Sequence, residues 1–220
     1  MIELAPEQVL ALAFGPNGLR APQSSLLQFD AFLAKTVRLA REPLLGQIRL
    51  GWWREQIGLL PSPRPGPDPL LAALGDLVRH HHIATDDLCA LVNAWETMLG
   101  ETPPIDSALI AAADARGGAV FRLASAISGT VVDDVTIQAG TVWALVDYAR
   151  HCTDPGLAHR ALELASGFGR VSRMLSRHIR PYAILTRFAE RDAMRGLDRM
   201  TPIGSPRRIV QAWALVLGLP

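Results

Sequence analysis

A chain of 220 residues, 49% hydrophobic and 20% charged, is long enough to fill one core and too apolar to be disordered. Its net charge of +1 and the absence of any recognition module argue against a nucleic-acid binder, and no run approaches the ~20 apolar residues of a membrane-spanning helix. The small net charge hides an asymmetry: residues 1–169 hold 12 Lys/Arg and 18 Asp/Glu, whereas residues 170–208 hold ten Arg and three acids.

The segment Met1–Phe14 carries Glu3 and Glu7 and no Lys or Arg, unlike a secretory signal. The first helix is expected over about 24–41, after Pro22, with Leu26, Leu27, Phe29, Leu33, Val37 and Ala40 as its apolar stripe. Pro43 suits the first turn of the next helix, which runs to about Leu60. There Leu45, Ile48 and Trp52 share one face, with Trp52 as its core anchor. Arg49, Trp53 and Gln56 share an adjacent face, where Arg49 is spaced to stack on Trp53. The segment Pro61–Pro67 holds four prolines and reads as a turn or exposed loop.

Further helices are expected at about 68–80, 86–99 and 104–128, the middle one capped by Thr85 and the last ended by Gly129. Two more, at about 136–151 and 155–178, precede Pro181, and the final pair covers about 182–198 and 206–217. Neither an internal repeat nor a heptad run is present. The pattern predicts an all-α, single-domain helical bundle over residues 1–220.

Several polar groups invite chemistry. His80, His81 and His82 are adjacent, so on a helix they point about 100° apart and suit a helix C-terminus better than a metal. The carboxylate pairs Asp86-Asp87 and Asp133-Asp134 have no third acid three or four residues on, so they read as caps or loop charges rather than Mg²⁺ ligands. Cys89 and Cys152 fit no metal spacing and read as buried small side chains of a cytoplasmic protein. Arg173, Arg177 and Arg180, and again Arg187, Arg191 and Arg195, have helical spacing and form stripes suited to phosphate or an anionic membrane.

Four segments in order resemble the squalene/phytoene synthase family. They are Glu42–Arg54 with its Trp52-Trp53-Arg54 string, Leu91–Glu96, the small-residue segment Ala115–Leu123, and Gly140–Arg150. The likeness covers about residues 20–200 and is nearest to a divergent bacterial branch and a related mitochondrial complex I assembly factor. It implies an isoprenoid-synthase-like fold. In that family two aspartate-rich motifs hold the Mg²⁺ ions that ionise an allylic diphosphate. Here Asp30 is the only acid of the first region, His151 and Pro155 stand at the metal-binding aspartates of the second, and Met98 stands at the acid after Glu96.

The resemblance therefore implies a member with degenerate motifs, without catalytic or metal residues or a cofactor. Such a protein would bind a lipid, an isoprenoid, a peripheral (inner-membrane) surface or a protein partner. Its expected binding residues are Arg49, Trp53, Arg54, Glu96, Asp147 and Arg150, with Arg173 and Arg177 as a second patch. The alternative is an active Mg²⁺-dependent prenyltransferase condensing farnesyl or geranylgeranyl diphosphate, recruiting metal through Asp147, His151 and Glu96.

Overall fold

A computed structural model describes residues 2–40, 42–60, 68–99 and 105–219, and among them every regular element is helical. The α-helices are α1 Pro6–Ala13, α2 Arg20–Arg38, α3 Pro43–Gly58, α4 Pro69–His81, α5 Thr85–Glu96, α6 Asp106–Ile127, α7 Asp134–His151, α8 Pro155–Gly167, α9 Arg180–Arg195 and α10 Arg207–Val216. The proline-rich segment 61–67, expected as a loop, lies outside the described residues.

Local chemistry sets most boundaries. Asp68 opens α4 by accepting from the Leu70 and Leu71 amides at 2.7 and 3.2 Å, and Asp133 opens α7 by accepting from the Thr136 amide at 2.8 Å. The histidine run ends α4, with His82 in the left-handed conformation at φ 54°. Helix α2 starts before the expected position because Pro22 sits in its first turn, where a missing N–H loses no partner. Thr85 lies inside α5 rather than capping it, and Ala84 precedes the helix in extended conformation. The expected helix over 155–178 breaks after Gly167. Gly169, at φ +74°, turns the chain into short 3₁₀ turns at Ser172–Met174 and Arg177–Ile179. Pro181 does not stop a helix but stands in the first turn of α9.

The largest correction concerns α3. Leu45, Ile48 and Trp52 are 47%, 59% and 46% exposed, while Trp53 is 3% exposed. The buried face is Gly46, Leu50, Trp53 and Ile57, and Trp53 packs on Phe29 and Phe32 at ring separations of 5.7 and 4.7 Å. Both sides of this helix are apolar, so periodicity alone allows either to face the core. Gly46 decides it: a Cβ there would stand 2.8 Å from the Leu99 side chain, so this is the side that fits close packing.

The centre of the bundle is the α6–α7 pair, against which α2, α5, α8 and α9 pack. Its backbones touch where two glycines meet. A Cβ on Gly117 would stand 2.0 Å from the Gly140 carbonyl oxygen, and one on Gly140 would stand 2.3 Å from that of Gly117. Beside this seam Arg116 reaches across to Asp147, about two turns further along α7.

Candidate functional site

The polar centre of the molecule is built from α2, α5, α6 and α7. Asp30 and Arg116 are only 1% and 3% exposed. Arg116 forks onto Asp30, with Nε donating to Oδ1 at 3.0 Å and Nη2 to Oδ2 at 2.7 Å. Its Nη1 donates to Asp147 Oδ2 at 2.7 Å. The Trp95 indole N–H donates to Asp30 Oδ1 at 2.8 Å. The guanidinium carbon also stands 4.2 Å from the Trp95 ring centre and 4.7 Å from that of Trp143, so ring faces cover the cation that two carboxylates bind. Towards solvent, Arg38 Nη2 is 3.5 Å from Asp147 Oδ2 and His151 Nδ1 is 3.4 Å from Asp147 Oδ1.

Burial opposes charge on Arg116, yet Asp30 and then Asp147 more than offset it and hold the guanidinium above its ordinary value. Burial likewise opposes ionisation of Asp147, but Arg116, His151 and Arg38 hold its carboxyl below the usual aspartate value. Arg116 and Asp147 thus favour their charged forms, and Asp30 is bonded to the same guanidinium.

This unit floors a groove of about 710 Å³ whose walls include Ala31 and Ala34 of α2, Leu4 and Val9, with Arg38 and His151 beside Asp147. A smaller pocket of about 120 Å³ adjoins it, sharing Ala5, Gln8, Asp147 and His151. Trp143, Leu185 and Phe188 give the pocket an apolar wall, and a second buried network borders it. There Arg150 and Arg208 both donate to Asp192 Oδ2, the Thr201 amide donates to Asp192 Oδ1 at 3.0 Å, and Arg208 lies 4.7 Å over the Phe188 ring.

Of the expected site residues, Asp147 and Arg150 line these cavities. Arg54 and Glu96 are not open binding groups: they pair with each other between α3 and α5, and Arg54 also donates to Asn93 Oδ1 at 2.9 Å. Trp53 is buried in the core and Arg49 is exposed. Cation-over-ring contacts among the described residues involve Arg116 and Arg208, so the expected Arg49–Trp53 stack does not form. Arg173 and Arg177 are exposed but stand on separate 3₁₀ turns ahead of α9, so they share no helical face with Arg180. Arg187 is buried with Glu190, 3.4 Å away, rather than part of a surface stripe.

Arg116, Asp192 and Arg208 are central groups that no sequence pattern above singles out. Arg116 had a signal, as a lone cation within the small and apolar run Ala115–Val120, a setting in which arginine requires a buried partner.

The described residues form an all-α, isoprenoid-synthase-like bundle with a charged groove between its α2 and α7 helices. The squalene/phytoene synthase family model matches residues 6–164, and the chain belongs to that family. The match takes in α1 to most of α8, while α9 and α10 lie beyond it. No curated protein and no solved structure matches the chain.

The donor set does not fit the Mg²⁺ cluster that the family implies. The acids that α2 and α7 offer to the groove, Asp30 and Asp147, are both already bonded to Arg116. Among the described residues no group of three or more His, Cys, Asp or Glu side chains is placed to hold a metal ion. Glu96, the remaining acid of the alternative metal set, is paired with Arg54.

Proposed function

We propose that this protein is a non-catalytic member of the squalene/phytoene synthase family whose groove holds an amphipathic ligand of the lipid or isoprenoid type. The observation that carries the reading is Arg116, bonded to both Asp30 and Asp147. Ionising an allylic diphosphate requires cations free to neutralise the leaving group. A guanidinium whose charge is already taken by two carboxylates does not supply that. In this reading Ala31, Ala34 and Val9 contact the apolar chain, and Arg38 with His151 meets a polar or anionic head at the rim. An assembly-type role for such a protein is what the resemblance noted in its sequence implies.

The test is calorimetric titration with farnesyl diphosphate, with and without Mg²⁺, alongside an assay of diphosphate release. We expect binding that does not depend on Mg²⁺, is weakened by Ala31→Trp, and leaves the ligand intact. Mg²⁺-dependent release that disappears in Asp147→Ala would establish the prenyltransferase alternative instead. Failure to bind either farnesyl diphosphate or a neutral farnesyl compound would leave a pure protein-interaction role and overturn the ligand reading.

A further inference from the structure

Helix α10 carries an apolar face that the bundle does not cover. Arg208, Gln211 and Ala212 turn inward, whereas Ile209, Val210, Trp213 and Leu217 are about half exposed or more. Ile209 and Val210 stand four and three residues before Trp213, and Leu217 caps the helix four residues after it, so all four fall within one stripe about 100° wide. Trp213 is steadied by an edge contact with Phe14 at 5.1 Å, so the stripe is held outward on a fixed support.

The segment that leads into this stripe is strongly basic. Between residues 170 and 208, Arg170, Arg173, Arg177, Arg195, Arg199 and Arg207 are exposed, against the single exposed acid Asp198. Arg207 lies in the first turn of α10. At the other end, Arg173 donates to the Leu219 carbonyl. Arg195 donates to Thr201 Oγ1 at 2.8 Å, just ahead of the helix. Burial first, and then the nearby Arg187, Arg195, Arg170 and Arg173, hold the Arg191 guanidinium below its ordinary value.

We infer that α10 docks on an anionic lipid surface, with Ile209, Val210, Trp213 and Leu217 entering the headgroup–acyl boundary and the surrounding arginines meeting the phosphates. A helix with tryptophan and aliphatic side chains on one face and arginines along its borders lies in a bilayer interface. A second copy fits less well. Pairing two such faces brings arginine belts together, and four half-exposed side chains offer only on the order of a few hundred Å², short of the ~800 Å² per partner of a stable interface. The exposed apolar stripe Leu44, Ile48 and Trp52 of α3 has exposed Glu42 and Glu55 as well as exposed Arg49 on the same helix or at its start, so its charge among the described residues is mixed rather than basic.

The experiment is flotation with phosphatidylcholine vesicles containing or lacking about 30% phosphatidylserine, at about 0.05 M and about 0.5 M salt. We expect binding to the anionic vesicles alone, weakened about tenfold or more by high salt and again by Val210→Asp. Val210 is 69% exposed, so that substitution leaves the fold intact, which a melting curve checks. Trp52→Ser, on the other apolar stripe, should leave binding unchanged. No binding to anionic vesicles at low salt overturns the inference, as does equal loss in Trp52→Ser and Val210→Asp. A concentration-dependent dimer abolished by Val210→Asp would assign the face to a second copy. Equal retention of the protein by soluble polyglutamate and by vesicles would assign it to an acidic protein partner. None of these outcomes depends on ligand binding in the groove, so this inference and the groove reading fail separately.

Discussion

Arg116 and Arg208 are both almost wholly buried, and both lie over aromatic rings, yet each shares its closest ion pairs in a different way. Around Arg116 two carboxylates share one guanidinium. Around Asp192 two guanidiniums, from Arg150 and Arg208, share one carboxylate. The consequence is opposite in sign. Asp30 and Asp147 hold Arg116 above its ordinary value. Burial and the neighbouring Arg150 leave Arg208 below it, despite Asp192 and Glu7. Both guanidiniums keep their charge, and their partners decide how much of it is already neutralised before a ligand arrives.

The comparison predicts unequal penalties for removing the shared ion. Arg116→Met leaves Asp30 buried, with the Trp95 N–H as its remaining donor, and should destabilise the fold by about 3–5 kcal/mol in denaturant unfolding. Adding Asp30→Asn should recover much of that loss, because the unpaired buried charge is then gone. Asp192→Asn should cost less, about 2–3 kcal/mol. Arg150 is partly exposed and can turn to water, while Arg208 keeps the Gln211 Oε1 acceptor at 3.1 Å, the Phe188 carbonyl at 3.3 Å and the Phe188 ring. Equal losses in the two variants would break the comparison.

The two networks also differ in how far the chain discloses them. Asp30 and Asp147 stand where a resemblance to known motif helices directs attention, and the capping role of Asp133 follows from its local pattern. The helices themselves were largely readable because prolines, glycines and aspartates punctuate them at Pro43, Asp68, Gly129 and Asp154. What remained hidden was pairing across the fold. Asp30 and Arg116 are 86 residues apart, and Arg150 and Asp192 are 42 apart, and no local period records such distances. The same limit explains α3: two apolar faces satisfy one helical period, and only the close approach at Gly46 selects between them. It also explains why the series Arg187, Arg191 and Arg195 read as a stripe although Glu190 draws Arg187 inward.

A pH titration sharpens the contrast next. The Asp147 carboxyl is held below the ordinary aspartate value of 3.8, so folding binds fewer protons at this site than the unfolded chain does. Its stabilising contribution is complete above that value and is lost as the pH falls through it towards the lower native value. Chemical denaturation followed from pH 6 to the acid limit should therefore show a shallower acid-side fall in Asp147→Asn than in the wild type, from a lower starting stability. Identical slopes would mean that Asp147 is not the acid-sensitive member of its network.

The smallest stability change is expected at the rim, and it separates structure from function. Arg38 is exposed, and its 3.5 Å approach to Asp147 is a solvent-screened pair worth about 1 kcal/mol or less. Arg116 satisfies Asp147 from the buried side whether or not Arg38 is present. Arg38→Ala should therefore barely move the melting temperature, in contrast to Arg116→Met. If the groove takes an anionic head at its mouth, the same variant should weaken farnesyl diphosphate binding about tenfold, while binding of a neutral farnesyl compound stays unchanged. Equal weakening of both ligands would place the role of Arg38 in shaping the groove. No weakening of either would move the anionic head away from this rim.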